Sequence, residues 1–249
     1  MTGPRVLLTG ASAGIGMALA DHYAKQGATL GLVARRTDRL EAAKAGWEAA
    51  GAKVFIHAGD VRDAARMGEI ARAFWNQAGG VDIVIANAGI SESDGLRQGD
   101  PKPASDVIAV NVQGAINTLL PVIPLMLERE SGRVVAIGSV AGFRGLPGKG
   151  AYSASKAAVK TLMDAWRVQL RGSGVSVTTI CPGYVESELT DGNTYPMPFL
   201  MPANKAARLI SHAIDRRAST YIFPWQMRWI VPLLRTLPDA LLSPMTGRR

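Results

Sequence analysis

"TGASAGIG", residues 9–16, places three glycines between an apolar run and a helical pattern. The run before it, "PRVLLTG" at 4–10, reads as a buried strand, and a helix is expected over about 15–26. Between such elements a first glycine, Gly10, permits backbone angles that other residues avoid. A second, Gly14, lets the main chain approach a pyrophosphate, and a third, Gly16, lets the helix pack closely on the sheet. The free N–H groups and partial positive charge of the helix N-terminus then favour phosphate. The spacing is G-x-x-x-G-x-G rather than the commoner G-x-G-x-x-G, and the turn by itself leaves two readings open: a dinucleotide seat, or a tight strand–helix connection that binds nothing.

Working outward, apolar β-branched runs alternate with longer helical patterns. Strands are expected at 28–35, in "AKVFIHAGD", "VDIVIANAG", "GRVVAIGSVAG" and "GVSVTTICPG", and in a short seventh, "STYIFP"; helices are expected at 38–51, 63–78, 151–172 and 203–217. A long helical segment, 104–129, carries Pro121 and Pro124 and should kink. Strands hydrophobic throughout and separated by helices imply a parallel sheet covered on both faces. The fold expected is α/β, a single doubly wound domain of about seven strands occupying residues 1–223, with 224–249 as an apolar extension.

The chain has 249 residues, 47% of them hydrophobic and 19% charged, a globular composition with ample length for a core. One cysteine, Cys181, forms no internal disulfide and suits a reducing compartment. The histidines, His22, His57 and His212, are scattered, so no metal site is expected. The N-terminus enters a strand at once, which leaves no room for a secretion signal, and no run of about 18 uninterrupted apolar residues occurs. A cytoplasmic protein is therefore expected. Net charge is +8, but the basic residues are dispersed apart from "ARRTDR" at 34–39 and the last two arginines; with no reader motif, nucleic acid is not an expected partner.

"GAYSASKAAV", residues 150–159, sets Tyr152 and Lys156 four apart, one above the other on a helix face. An ammonium held near a phenol lowers its pKa from about 10 toward a useful range for proton transfer. Alone, the pair could equally be a solvated surface pair. Taken with "TGASAGIG", "NAG" at 87–89, Asn111, Ser139 and "PG" at 182–183, all in order along the chain, it resembles the short-chain dehydrogenase/reductase family over about 1–223.

That resemblance implies roles residue by residue. Gly10, Gly14, Ile15 and Gly16 match the pyrophosphate turn; Asp60 in "GDV", with Val61 after it, matches the position facing adenine. Asn87, Ala88 and Gly89 match the element that borders the cofactor after strand four, and Pro182, Gly183, Val185 and Ser187 match the nicotinamide end, with serine where threonine is usual. Ser139, Tyr152, Lys156 and Asn111 match the catalytic set: Tyr152 as general acid/base, Lys156 lowering its pKa and holding the nicotinamide ribose, Ser139 donating to the substrate oxygen, Asn111 holding a water that resupplies the proton.

Where an NAD-preferring fold places a carboxylate after strand two, this chain has Ala34-Arg35-Arg36. A guanidinium suits a 2′-phosphate by charge and geometry. NADP(H) is the cofactor expected, held by Arg35, then Arg36, with Ser12 adding a hydroxyl; a merely solvated basic helix start is the alternative. The substrate lid is expected at about 184–203, where Met197, Phe199, Leu200 and Met201 suit an apolar carbonyl or alcohol, with Leu146 in "GFRGLPGKG" on the opposite wall. In the extension, Trp225, Trp229, Ile230, Leu233, Leu234, Leu237, Leu241 and Leu242 form a large apolar load, accompanied by Arg228 and Arg235. Peripheral membrane contact through 225–242 is one reading; packing over the lid or in a homo-oligomer (dimer or tetramer) is the other. An NADP(H)-dependent oxidoreductase is the function expected, with a catalytically idle NADP(H)-binding sensor as the alternative.

Overall fold

The structure, a computed structural model, describes residues 3–191 and 196–236. Seven parallel strands form one sheet in the order β3-β2-β1-β4-β5-β6-β7. They are β1 (Arg5–Thr9), β2 (Thr29–Ala34), β3 (Lys53–Ala58), β4 (Ile83–Ala86), β5 (Gly132–Ile137), β6 (Val175–Pro182) and β7 (Thr220–Phe223). The first crossovers carry α1 (Gly14–Ala24) and α2 (Asp38–Ala49); α3 (Ala64–Ala78) then returns the chain so that β4 pairs with the other side of β1. Reversal of strand order between β1 and β4 opens a crevice beyond their C-terminal ends, the usual ligand position in such sheets.

Alternate side chains along each strand enter opposite layers, which is why the central strands need no polar face. Val6 and Leu8 join Leu19, Leu30, Leu32 and Ile210 on the α1 side; Leu7 and Val33 join Phe74, Val84 and Met163 on the other. The remaining helices are α7 (Gly150–Gln169), α8 (Ala203–Asp215) and α9 (Met227–Thr236), the last running into the extension.

The long segment before β5 is broken twice. It consists of α4 (Lys102–Ile108), a π-helical turn (Ala109–Gln113), α5 (Gly114–Leu119) and α6 (Ile123–Glu128). Pro121 stands in the gap between α5 and α6 as expected, since it cannot continue the hydrogen-bond ladder; Pro124 lies in the first turn of α6, where its missing N–H is harmless. The π turn around Asn111 was not legible in the sequence. Although 102–128 is long and apolar enough to span a membrane by composition, Val107, Leu119, Ile123 and Met126 are spent in the core.

Packing of α1 on the sheet depends on Gly16. A Cβ there would lie 2.1 Å from the Gly10 carbonyl oxygen and 2.7 Å from Asn87 Nδ2, both fixed by the strand ends. We expect Gly16→Ala to destabilise the protein by about 1–3 kcal/mol in urea unfolding, because the overlap outweighs alanine's better helix propensity. Unchanged stability would contradict this packing.

Candidate active site

The crevice is built first from the ends of β1 and β4. Thr9, fully buried, donates through Oγ1 to the Ile85 carbonyl (3.4 Å) and accepts from the N–H groups of Asn87 (3.3 Å) and Ala88 (3.4 Å). Asn87 Nδ2 donates to the carbonyls of Thr9 and Gly10, both at 3.0 Å. Gly10 has φ +66° and a Cβ there would meet Ala88 Cα at 2.7 Å, so only glycine fits this crossing. Ile15 is packed against the core beneath the turn. Ser187, in the loop after β6, lies against Gly14, and a groove of about 460 Å³ runs past Ser12, Gly14, Met17, Arg39 and Glu188.

At the other end stand the residues of β5 and α7. Ser139 follows β5, its Oγ accepting from Ala141 N–H at 3.1 Å as the cap of a short 3₁₀ turn (Val140–Phe143). Lys156 is 6% exposed; its Nζ donates to the Ile137 carbonyl at 2.9 Å and lies 5.6 Å from the centre of the Tyr152 ring. Burial pulls the Lys156 ammonium down to about 8, because the charged form has lost its water. Cys181, at the end of β6, is buried beside it, and burial pushes that thiol up to about 12, so it stays neutral. Asn111 is buried in the π turn: Oδ1 accepts from Ile90 N–H (2.8 Å), and Nδ2 donates to the Ile90 carbonyl (3.0 Å) and to Ser155 Oγ (2.9 Å). A Cβ at Gly89 would lie 3.2 Å from Asn111 Oδ1 and 3.4 Å from Lys156 Nζ, so glycine lets the main chain pass close to both groups.

Beyond β2 and β3 the surface is basic. Arg35 and Arg36 are exposed at the end of β2. Asp60 accepts from Arg62 through its main-chain N–H (2.9 Å), Nε (3.1 Å) and Nη2 (2.6 Å), and these bonds, aided by the charge of Arg35, hold its carboxyl below the usual range. Val61 is buried and its carbonyl accepts from Asn117 Nδ2 (2.9 Å). Arg39 pairs with Glu188 across the groove. Among the described residues no cluster of three or more metal-ligating side chains occurs.

The loop after β6 folds back on itself. Gly183 N–H donates to the Phe223 carbonyl (2.7 Å), which extends the strand pairing of Pro182. Met201 is buried, bridged to Val185, whereas Phe199 and Leu200 are partly exposed; Met197 is described, and residues 192–195 lie outside the described residues. In α9, Met227 and Val231 are buried, and the helix packs on β7 and on the 3₁₀ turn after Ser139; Trp225 (67% exposed) and Trp229 (76%) face outward. Leu237, Leu241 and Leu242 and the side chains of Leu233 and Leu234 lie outside the described residues.

The structure thus gathers Ser139, Tyr152, Lys156, Asn111, the glycine turn, Asn87–Gly89 and Pro182–Gly183 at one edge of the sheet, with Arg35, Arg36 and Asp60 farther along it. Sequence reasoning missed Thr9, although it stands inside the quoted turn, and it missed Ser155, Asp94 and the Arg39–Glu188 pair, whose partners are remote or lack a motif.

Residues 4–196 match the short chain dehydrogenase family. An uncharacterized oxidoreductase of Myxococcus xanthus is 42% identical over 97% of this chain and 96% of its own. The ketoacyl reductase HetN of Nostoc sp. is 36% identical over 74% of this chain and 64% of its own. Among solved structures, a short chain dehydrogenase/reductase from Burkholderia phymatum in complex with NAD superposes with a TM-score of 0.86 at 26% identity, covering 93% of this chain and 92% of that one. With a family match over most of its length, a full-length relative and the seven-stranded sheet all in agreement, the chain belongs to the short chain dehydrogenase family of oxidoreductases.

Proposed function

We propose that the protein is an NADP(H)-dependent oxidoreductase acting on a carbonyl or secondary alcohol of an apolar substrate, with Tyr152 as the general acid/base. The observation that carries this reading is the buried Lys156 ammonium, 2.9 Å from the Ile137 carbonyl and 5.6 Å from the Tyr152 ring centre. Burying an ammonium is costly and marks a candidate functional group, and beside it lie the ring of the proposed proton donor, the Ile137 carbonyl and Cys181.

The residues present fit a dinucleotide. The glycines at 10, 14 and 16 carry the chain from β1 into the N-terminus of α1, whose free N–H groups suit a pyrophosphate, and Ser12 stands in the same turn. Arg35 and Arg36, with no carboxylate at the end of β2, favour a 2′-phosphate, and Arg62 offsets the charge of Asp60. Bound NADP(H) would supply or accept the hydride. Tyr152 then gives its proton to the carbonyl oxygen, or takes one from the alcohol, while Ser139 donates to the same oxygen. Lys156 favours the phenolate. Asn111 Oδ1 and Lys156 Nζ both lie close to Gly89, and a water held between these polar groups would refill the proton. Partly exposed Phe199 and Leu200 support an apolar substrate, as does the acyl substrate in the name of the Nostoc relative.

Two results are expected. In NADPH oxidation followed by absorbance over ketones and aldehydes of graded size, rates rise with apolar size, and Tyr152→Phe lowers turnover at least about a hundredfold while retaining NADPH binding. Turnover retained in Tyr152→Phe would remove Tyr152 as the acid. The second concerns stability. Lys156 falls from 10.5 unfolded to about 8 folded, so the unfolded chain binds the extra proton between those values. The resulting penalty is full below pH 8 and fades as pH rises to 10.5. Lys156→Met should therefore stabilise the cofactor-free protein at pH 7 by about 1–2 kcal/mol, after allowing for the lost bond to Ile137, with the gain shrinking above pH 8. A variant less stable than wild type, or a gain independent of pH, would contradict the burial account.

A further inference from the structure

Asp94 lies half-buried in the segment after β4 and belongs to none of the motifs read from the sequence. Its carboxylate accepts two main-chain N–H groups from the start of α7: Oδ2 from Gly150 at 2.5 Å and Oδ1 from Ala151 at 2.8 Å. These belong to the donors a helix N-terminus leaves without an internal partner. Lys149, at the N-cap position of α7, supplies no side-chain bond, so the acceptor comes instead from 56 residues upstream. The Asp94 N–H in turn donates to the Gly148 carbonyl at 3.4 Å, which ties the loop before α7 to the same residue.

The other end of the segment is fixed as firmly. Asn111 engages both main-chain groups of Ile90 and also donates to Ser155 Oγ, which itself donates to the Tyr152 carbonyl at 2.7 Å. The stretch from Ile90 to Asp94 therefore holds α7 at Gly150 and Ala151 directly, and at Ser155 through Asn111. Tyr152 lies between these anchors, which stand about 6 Å apart along the helix axis.

We propose that Asp94 is a positioning residue. With Asn111 it forms a bracket that fixes the first turn of α7 and so the direction in which Tyr152 presents its phenol. A carboxylate suits the task better than a neutral cap, because charge-assisted bonds are shorter and stronger and the helix dipole favours a negative group there. Misplacing a reacting group by an ångström is enough to slow a reaction markedly. The proposal rests on the reading of Tyr152 as proton donor only where it predicts an effect on turnover.

The test compares wild type, Asp94→Ala and Asp94→Asn in two measurements on the full chain. Amide hydrogen exchange, read by mass spectrometry over peptides covering 148–158, should accelerate about tenfold in Asp94→Ala, while peptides from β1 and β4 stay unchanged. With NADPH and 9,10-phenanthrenequinone as an apolar dicarbonyl probe, kcat should fall about tenfold with KM for NADPH unchanged. Asp94→Asn keeps one acceptor oxygen but loses the charge and sets an NH2 against the second N–H, so it should recover only part of either effect. Unchanged exchange in α7, acceleration spread evenly over the chain, or local acceleration with wild-type kcat would each overturn the proposal. A wild type that never turns over the probe contradicts the proton-donor reading instead, and the exchange pattern then decides the bracket by itself.

Discussion

Holding the Lys156 ammonium inside the protein is the constraint on which the rest of the site depends. A lysine brought out of water loses its hydration, and only strong local acceptors or nearby developing negative charge make that tolerable. Here the Ile137 carbonyl provides one fixed acceptor at the last residue of β5. The other polar groups converge on the same point from separate elements: Ser139 from the turn after β5, Asn111 from the π turn, Tyr152 from one helical turn above. A parallel sheet brings them together because all its strands end at the same edge, so connections far apart in sequence meet over one crevice. Cys181, buried beside the lysine, stays a neutral thiol, and the Tyr152 ring centre lies 5.6 Å from the ammonium.

The architecture was legible because it is written in local chemistry. Apolar runs of strand length, glycines at the first turn and a tyrosine–lysine spacing on one helix each act within a few residues, and a parallel sheet follows from alternation of strand and helix. What the sequence hid are choices of partner. Asp60 reads as a ligand-facing carboxylate, yet its oxygens are occupied by Arg62 two residues on. Nothing near Glu188 announces Arg39, which is 149 residues away. The π turn is a third case: it depends on Asn111 reaching Ile90 and Ser155 at once, and the extra residue in that turn lets one side chain meet both. Such features are decided by packing after the elements have formed, and so no periodicity records them.

Charge at the far end of the crevice sets the second theme. The solved relative from Burkholderia phymatum is in complex with NAD, whereas this chain ends β2 with two exposed arginines and neutralises the adjacent Asp60 with a third. Neither the sheet nor the glycine turn discriminates between the two nicotinamide cofactors, since both carry the same pyrophosphate; discrimination falls to the few side chains around the adenosine ribose. The bond between Arg39 and Glu188 crosses the groove and joins α2 to the loop after β6.

Whether this crevice is a seat for NADPH is tested by direct cofactor binding, with no knowledge of the substrate. Titration of NADPH and of NADH by nucleotide fluorescence, on wild type and on Arg35→Asp, is the measurement to make. Wild type should bind NADPH at least about tenfold more tightly than NADH, a difference of one charge-assisted contact, and Arg35→Asp should erase or reverse the preference mainly by weakening NADPH. Equal affinities in wild type, or equal losses for both cofactors in the variant, would contradict it.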